Sequence, residues 1–467
     1  MANGSIIELV STSQLDEDIT DKSDKSSIFT FDINNKKNKY SKLDFIYYPQ
    51  GKSNWNTKSR FYIKHDGDLL YGLYLKIKLP ALSVKHLDVT PVPNEYNTPS
   101  TPYRIKYGDY IGNLMIKKVS LYINDMLIDE LHGSYMQLYT DLYISDWNRK
   151  AMIGLDDNLN RPKLKIDSEY IYIPLRFWFC DNIKPLPIIA LQHSEIYIDV
   201  TFRDFNECVM VLEEHSGLLF HSQAKHDIYQ IDEISLQANF YLVEHEARKK
   251  LASREYEFLI TQTQIKSTNF TSYVLLDITF NHVIKDLFFF VQPNCNILNG
   301  EFFNFTAKTK YLPNKLISQL FEKNGKPKNG VDIKNVHYLY NIEPTRHLLN
   351  QARILFNGIE RINWRDYKYF YLMQNYENYR NKTNTDSYVY LYSFNINPTQ
   401  FSNWVGCNFS RIENPQLQLN INNDPFIINT EPLIKNPVDE LYHLVCYATN
   451  FNIFIIKNGV AGLKYNN

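Results

Sequence analysis

The sequence predicts an all-β protein that consists of two sandwiches in tandem, and three observations indicate this fold. Segments in which apolar and polar residues alternate recur along the 467 residues, as expected of strands with one buried face. The composition also favours strands, since it includes 35 Tyr and 28 Phe. Asn-Gly dipeptides, which favour tight hairpin turns, divide the second half at 324–325, 357–358 and 458–459. Length alone suggests about three domains, but sandwich domains commonly reach about 200–250 residues, so two large ones fit the length equally well.

The first half begins with a predicted N-terminal arm over 1–25, which is polar and acidic apart from an apolar patch at 6–10. The apolar spacing predicts a helix over 133–145. Between the second and third predicted strands, Asp66 and Gly67 predict a hairpin turn. A metal site that uses Asp66 and Asp68 is the alternative interpretation of these residues. Strands in this half are predicted at 40–48, 60–64, 73–79, 114–123 and 126–131.

The segment from Phe177 to Phe205 is the most informative stretch of the first half. An aromatic cluster at 177–180 is followed by a proline-marked turn and then by an alternating run over 195–203. The apolar side chains of this run share one face and the polar ones share the other. We therefore predict a half-buried strand that closes a sandwich. The apolar face consists of Ile196, Ile198, Val200 and Phe202, and the polar face of Glu195, Tyr197, Asp199, Thr201 and Arg203.

The alternating pattern stops between 206 and 230, where Cys208, Glu213, Glu214, His215 and His221 occur close together. Such residues can bind a metal ion or act in catalysis, but their spacing matches no metal-binding motif. The prediction is a solvated linker at 213–230. It would separate a first domain over 26–212 from a second domain over 231–467.

The second half repeats the strand-rich pattern. A short charged helix is predicted at 245–253, and long loops at 293–350 and 375–388. The run 116–123 in the first half resembles the run 284–291 in the second, which predicts two related domains. Strands are predicted at 234–242, 258–265, 272–280, 284–292, 416–420 and 452–456.

Composition argues against several classes of protein. The formal net charge is -1, from 50 Lys+Arg and 51 Asp+Glu, whereas direct nucleic-acid binding requires a basic excess. No signal peptide is recognisable, and no apolar run approaches the roughly 20 residues of a membrane span, which predicts a soluble, cytosolic product. The cysteines form no CxxC pair, which argues against a disulfide framework or a zinc ribbon. The five cysteines are Cys180, Cys208, Cys295, Cys407 and Cys446.

No motif for catalysis or cofactor binding is present, since the sequence lacks GxSxG, HExxH, GxGxxG and a phosphate-binding loop. We therefore predict no enzyme, with no catalytic, cofactor-binding or metal-binding residues. A site assembled only in space stays open, because the chain has 12 His. Long polar loops on a β scaffold are more typical of binding or assembly than of hydrolysis. Chance accounts for most of the glycosylation sequons, at Asn3, Asn269, Asn304, Asn381 and Asn408.

Short motifs that occur along nearly the whole chain can be compared with known families. The first-half motifs are Asp66-Gly67-Asp68-Leu69-Leu70, Ile111-Gly112-Asn113-Leu114-Met115, Pro174-Leu175-Arg176-Phe177-Trp178-Phe179 and Leu186-Pro187-Ile188-Ile189-Ala190-Leu191. The second-half motifs are Phe290-Val291-Gln292, Cys407-Asn408-Phe409-Ser410-Arg411-Ile412, Ala448-Thr449-Asn450-Phe451-Asn452 and Gly459-Val460-Ala461-Gly462-Leu463. In order and spacing, these motifs resemble the double jelly-roll major capsid proteins of nucleocytoplasmic large DNA viruses. Two departures are a missing Pro-Ser-Gly before Cys407 and an arm without the usual Gly-Ala-Gln-Asp run.

The resemblance implies two eight-stranded antiparallel jelly rolls with short helices and long loops. It also implies a structural protein of the virion, whose homotrimers form pseudo-hexagonal capsomers of an icosahedral shell assembled in the host cytoplasm. Neighbouring capsomers and minor capsid and penton proteins would be the partners, and the arm 1–25 would face an inner membrane. The loops 80–108 and 146–168, with parts of 293–350 and 375–388, would lie outside. The alternatives are a divergent capsid paralogue and a lectin-like attachment protein.

Overall fold

The computed structural model describes the greater part of the chain. The predicted arm, the dipeptide at 324–325 and the sequons at Asn3 and Asn381 lie outside the described residues. The described residues are 40–84, 103–144, 147–181, 184–215, 217–222, 229–306, 310–311, 320–322, 326–330, 334, 347–379, 388–395, 398, 406–421 and 441–465.

The first half contains thirteen strands in its described part. They are β1 (Tyr40–Tyr47), β2 (Lys58–Ile63), β3 (Leu69–Leu79), β4 (Leu82–Ser83), β5 (Tyr103–Tyr107), β6 (Ile116–Ile123), β7 (Met126–His132), β8 (Lys165–Ile166), β9 (Glu169–Pro174), β10 (Ile196–Phe202), β11 (Val209–His215), β12 (Leu218–Ser222) and β13 (Glu233–Val243). Its helices are α1 (Ile111–Met115), α2 (Gly133–Tyr143), α3 (Trp147–Met152), α4 (Asp157–Asn160) and α5 (Phe205–Cys208), with 3-10 turns at Trp178–Asp181 and Ile188–Ala190.

Two four-stranded antiparallel sheets form the first sandwich. Their strand orders are β1-β13-β3-β9 and β2-β10-β6-β7, which we call the β1 sheet and the β2 sheet. Alternate residues of both sheets enclose an apolar cluster that includes Phe61, Leu75, Ile198 and Phe240. A smaller sheet, β12-β11-β5, and the pair β4-β8 lie in the connections between these strands.

The second half contains ten strands in its described part. They are β14 (Tyr256–Phe270), β15 (Tyr273–Asp277), β16 (Val283–Pro293), β17 (Leu349–Phe356), β18 (Ile359–Asp366), β19 (Tyr390–Ser393), β20 (Cys407–Asn408), β21 (Pro415–Ile421), β22 (Tyr442–Lys457) and β23 (Val460–Leu463). The helix α6 (His245–Ser253) precedes them, and α7 (Asn294–Leu298), a π-helical turn (Tyr369–Met373), α8 (Gln374–Tyr379) and a 3-10 turn (Phe409–Arg411) lie among them.

The second sandwich repeats the strand order of the first. Its β14 sheet has the order β14-β22-β16-β19, and its β15 sheet has the order β15-β21-β17-β18. If the eight sandwich strands of each half are numbered along the chain, both halves place strands 1-8-3-6 in one sheet and 2-7-4-5 in the other. The prediction of two eight-stranded antiparallel jelly rolls is therefore confirmed.

The predicted boundary between the domains requires correction. Strand β13 (Glu233–Val243) pairs with both β1 and β3, so it is the eighth strand of the first sandwich, which 26–212 leaves out. The predicted linker 213–230 contains the end of β11 and all of β12, which pair with each other. Sequence reasoning missed these strands because a histidine-rich, charged segment lacks strict alternation.

Three further predictions differ from the structure. Residues 66–67 form no hairpin, because β2 and β3 belong to different sheets and this segment crosses between them. The run 116–123 is a fourth strand, whereas 284–291 lies in a third strand, so the two runs are not equivalent. The strand predicted at 114–123 begins only at Ile116, because α1 occupies the preceding residues.

The strand predicted at 195–203 exists as β10, but it is buried on both faces instead of one. It lies between β2 and β6, inside the β2 sheet. Asp199 on its polar face accepts hydrogen bonds from Arg60 at 2.8 and 2.9 Å. Tyr197 on the same face stacks on Tyr122, with ring centroids 5.0 Å apart. The polar side chains of neighbouring strands thus cover one another.

In both sandwiches the longest connections, 3–4 and 5–6, begin and end at the same end. Because successive strands run in opposite directions, the 3–4, 5–6 and 7–8 connections lie at one end, which we call the insertion end, and the 2–3, 4–5 and 6–7 connections lie at the other. The two insertion ends adjoin, since Lys310 Nζ lies 2.6 Å from Asp109 Oδ2. At the opposite end, the His193 N–H donates to Gly459 O at 3.2 Å. The two sandwiches therefore stand side by side in the same direction.

Candidate assembly surface and the contact between the domains

Asp68, one of the two residues considered for a metal site, instead stabilises the end of strand β13 in the first sandwich. The buried Asp68 accepts a hydrogen bond from the Val243 N–H at 2.8 Å and forms an ion pair with Arg248 Nε at 2.9 Å. This carboxylate thereby fixes the end of β13 and the following α6. Among the described residues, no group of three or more His, Cys, Asp or Glu side chains is placed to hold a metal ion.

The second candidate cluster, at 206–230, is spread over several elements. Cys208 is fully buried at the end of α5, and burial raises the pKa of its thiol, which disfavours the reactive thiolate. His215 contacts Glu213 at 2.7 Å and lies against the ring of Phe321 from the second domain. Burial lowers the pKa of His221. Of these side chains, His215 joins the insertion ends of the two domains through its contact with Phe321.

The remaining cysteines and sequons show no common site. All five cysteines are free. Asn304 is buried and donates to Glu301 Oε2, so its amide is not accessible for glycosylation. Asn269 and Asn408 are exposed. The prediction that the sequence contains no catalytic, cofactor-binding or metal-binding residue stays a prediction.

The aromatic cluster at 177–180 makes a central contact between the two domains. Trp178 lies with its ring centroid 5.7 Å from that of Phe258 and 5.5 Å from that of Phe454. Phe258 and Phe454 face each other in the β14–β22 pair. The main apolar cluster of the first domain also includes Ile260, Phe454, Ile456 and Ala461 from the second domain. One end of the β14–β22 pair therefore completes the first core, and its other end belongs to the second core.

A polar contact lies beside this apolar junction, between β7 and β14. Gln262 Nε2 donates to Ile128 O, and the Thr263 N–H donates to Asp129 Oδ1 at 3.1 Å. Burial raises the pKa of the Asp129 carboxyl to about 7, although the N–H groups of Thr263 and Glu130 stabilise its charge. The domain contact thus contains a carboxyl group that titrates near neutral pH.

Helix α2, which follows β7, covers the outer face of the β14 sheet. Leu138 and Leu142 pack in a cluster with Phe288, Phe290 and Tyr447 of that sheet. Ser134 Oγ hydrogen-bonds with Tyr447 Oη at the same contact. The first domain therefore uses its fifth strand and the following helix to bind the first, third and eighth strands of the second domain.

Charged side chains join the domains at the insertion end. Asp109 contacts both Lys106 at 2.8 Å and Lys310 at 2.6 Å. Although burial alone would raise the pKa of Asp109, the two ammonium groups hold it well below its usual range. Glu301 accepts hydrogen bonds from the N–H groups of Lys310 and Tyr311. These contacts order the described part of the 3–4 connection of the second domain.

Part of the exposed apolar surface lies on β1, on β18 and on the segment from the π-helical turn to α8. On β1, Tyr40, Leu43 and Ile46 are exposed, and on β18 Ile359 is exposed. The π-helical turn and α8 expose Leu372, Met373 and Tyr376. Exposed apolar groups on neighbouring elements are typical of surfaces that bind another protein. None of the described helices is long and apolar enough to cross a membrane.

These features define a double jelly-roll protein with exposed apolar side chains on its sides, and the residues that the structure describes form no recognised catalytic cluster. Residues 30–243 match the family described as "Major capsid protein N-terminus", and residues 247–462 match "Large eukaryotic DNA virus major capsid protein". The boundary between the two matches agrees with the end of β13.

Relatives and solved structures agree with this assignment. The major capsid protein of Phaeocystis pouchetii virus is 24% identical, over 89% of this chain and 91% of the relative. That of Paramecium bursaria Chlorella virus 1 is 25% identical, over 77% and 80%. A chain of the PBCV-1 virus capsid superposes with a TM-score of 0.68 at 20% identity, over 95% of this chain and 100% of that chain. The Faustovirus major capsid protein gives 0.66 at 12% identity, over 98% and 99%.

The chain belongs to the major capsid protein family of nucleocytoplasmic large DNA viruses. It is a structural protein of the viral capsid and not an enzyme, as the resemblance in the sequence implied. Its function therefore depends on surfaces that contact other capsid subunits.

Proposed function

We propose that three copies of this protein form a pseudo-hexagonal capsomer and that such capsomers tile the faces of an icosahedral shell. One observation carries the proposal: two sandwiches of identical strand order stand side by side with their insertion ends together. Three such pairs supply six similar sandwiches, which suits a ring of near-sixfold shape. The exposed apolar groups on β1, β18 and α8 suit contacts between copies.

The direction of the capsomer in the shell follows from the same asymmetry. We place the insertion end, with the described parts of 80–108, 146–168, 293–350 and 375–388, on the outside, because polar connections of variable length suit the solvent-facing surface. The opposite end then faces inward, together with the arm 1–25 and an inner membrane. Neighbouring capsomers, minor capsid proteins and penton proteins are the proposed partners, assembly is proposed to occur in the host cytoplasm, and no direct contact with nucleic acid is proposed.

Light scattering of the purified protein tests the trimer. We expect a stable species with the mass of three chains over a wide concentration range, because capsomers must form before they tile. A protein that stays monomeric throughout would contradict the proposal and favour the lectin-like attachment protein or a paralogue that needs a second chain. The abundance of the protein in purified virions separates the principal shell protein from a paralogue.

A further inference from the structure

The two hairpins that join the fourth and fifth strands of each domain have the same construction. Their two-residue turns, Asn124-Asp125 and Asn357-Gly358, both have positive φ at each residue. In both hairpins the third residue of the fifth strand is bulged out of the pairing, Ile128 in β7 and Arg361 in β18. A bulge fixes local twist and register, so β7 and β18 are equivalent strands.

The first strands of the two domains can be aligned in the same way. The third strand of each domain has one bulged residue opposite the eighth strand, Tyr71 in β3 and Lys285 in β16. The pairings then make Phe240 equivalent to Asn450. Phe240 pairs with Leu43 of β1, and Asn450 pairs with Gln262 of β14, so Leu43 and Gln262 are equivalent. Three positions further along, Ile46 is equivalent to Ile265.

The helical segments after the fifth strands correspond in their distance from those strands, although the second contains a π-helical turn (Tyr369–Met373) where α2 is a regular α-helix. Leu138 and Leu142 lie six and ten residues after His132, the last residue of β7, and Leu372 and Tyr376 lie six and ten residues after Asp366, the last residue of β18. Leu138 and Leu142 are each 1% exposed, because they pack on the β14 sheet beside Ile265. Leu372 is 49% exposed and Tyr376 is 79% exposed.

Each of the two surfaces that form the contact between the domains thus has an equivalent surface in the other domain that takes no part in that contact. The fifth strand and helix of the first domain cover the β14 sheet of the second domain, whereas α8 packs only within its own domain among the described residues, where Tyr379 lies against Phe288. In the described part of the chain the outer face of the equivalent β1 sheet is not covered by another domain, and Ile46 on it is 49% exposed. A single chain therefore carries, at two separate places, the two surfaces that together would form a second contact of this type. This is expected of a head-to-tail interface between copies.

We infer that β18 and α8 of one copy bind the β1 sheet of the next copy, with Leu372 and Tyr376 packed beside Ile46. This inference rests on the proposed trimer and names the surfaces that build it. When the contact between the two domains of one chain is repeated between copies, all six sandwiches of the trimer make similar contacts with their neighbours.

The contact between copies is more polar than the contact inside the chain. Tyr447 and Phe288, which contact α2 within the chain, have Gln237 and Tyr74 as their equivalents on the β1 sheet. Less apolar area is therefore buried between copies than between the domains. The trimer accordingly dissociates at lower denaturant concentration than that at which the two domains separate.

Substitutions at exposed positions test the interface without disturbing the core. Ile46→Arg and Tyr376→Arg each place an unpaired charge in the proposed contact, so we expect each to raise the concentration of half-dissociation of the trimer by about tenfold or more. Tyr273→Arg is the matched control, because Tyr273 is 50% exposed on β15, away from this surface. It should remain trimeric. Circular dichroism and the thermal midpoint of each monomer should match those of the wild type.

The outcomes separate this inference from the proposed trimer. A wild-type protein that never forms trimers would overturn both. A trimeric wild type whose Ile46→Arg and Tyr376→Arg variants are equally trimeric would overturn the inferred surfaces and leave the trimer intact.

A second variant tests whether the contact closes into a ring. In Ile46→Cys/Tyr376→Cys, oxidation should link up to three chains on a non-reducing gel, whereas the wild type with its own cysteines should not be linked. Products longer than three chains would show an open polymer and contradict the inference, and so would the absence of any linkage in a trimeric sample.

Discussion

Asp129 makes the stability of the contact between the domains depend on pH. Its carboxyl lies between β7 and β14, and burial raises its pKa to about 7, compared with about 3.9 in an unfolded chain. At pH values between these two pKa values, the Asp129 carboxyl is protonated in the folded protein and ionised in the unfolded chain. The stabilising contribution of this group is therefore complete below about pH 4 and is lost as the pH rises through about 7.

The Asp129→Asn substitution keeps an acceptor for the Thr263 N–H and removes the titration. We expect the free energy of unfolding of the wild type to fall, relative to this variant, by up to roughly 4 kcal/mol between pH 4 and pH 7.5. Urea denaturation across this range measures the difference. Asp141, whose pKa burial raises to about 6, titrates in both proteins and cancels, and Asp277→Asn on the exposed edge of β15 serves as the control. Parallel pH profiles for wild type and Asp129→Asn would contradict this assignment.

At the scale of elements, the β14–β22 pair and Trp178 hold the two sandwiches together. The pair is 15 and 16 residues long, which exceeds what one sandwich needs, and its excess length carries Phe258, Ile260 and Phe454 into the first domain. Trp178 is 3% exposed against these side chains. The junction is therefore continuous apolar packing, which resists separation of the domains.

The Trp178→Ala substitution should destabilise the protein by about 3–5 kcal/mol, because it leaves a cavity at this junction. Phe454→Ala should have a similar cost, and the double variant should cost less than the sum of the two, because both substitutions remove the same contact. Denaturation midpoints measure all three, with Tyr273→Ala as an exposed aromatic control. Additive costs would show that Trp178 acts elsewhere.

Local sequence predicted those elements whose pattern is set by near neighbours. Alternation located β10 and β13, helical spacing located α2, and the charged run at 245–253 located α6. Asn357-Gly358 and Asn458-Gly459 predicted hairpins that the structure contains. Pairing between distant segments was not predictable in this way. Asp66-Gly67 has the local chemistry of a hairpin turn, yet the sheets to which β2 and β3 belong are decided by contacts with β10 and β13. The domain contact at Trp178 and Asp129 was missed for the same reason.

The two ends of the whole molecule differ, since the longest connections of both sandwiches, 3–4 and 5–6, lie at the insertion end. Asn158 in α4 is exposed at the insertion end, and Glu195 is exposed beside the turn at 124–125, at the opposite end. If the insertion end faces outward, the two positions differ in access only while the shell is intact.

A bulky maleimide reagent that cannot pass through the shell tests this orientation. We expect Asn158→Cys to react in intact shells and after disassembly, and Glu195→Cys to react only after disassembly. Free capsomers should react at both positions, which controls for local exposure. The reverse pattern in intact shells would place the insertion end on the inside.

The shared β14–β22 pair also has a consequence for synthesis of the protein on the ribosome. The first core contains Ile260 from the start of the second domain and Phe454 and Ile456 from near residue 460. When residues 1–243 have emerged, that core still lacks these side chains, and the apolar surface around Trp178 stays open to water. Folding domain by domain during translation is therefore incomplete for this chain. The nascent first sandwich therefore keeps apolar surface exposed until β22 is made.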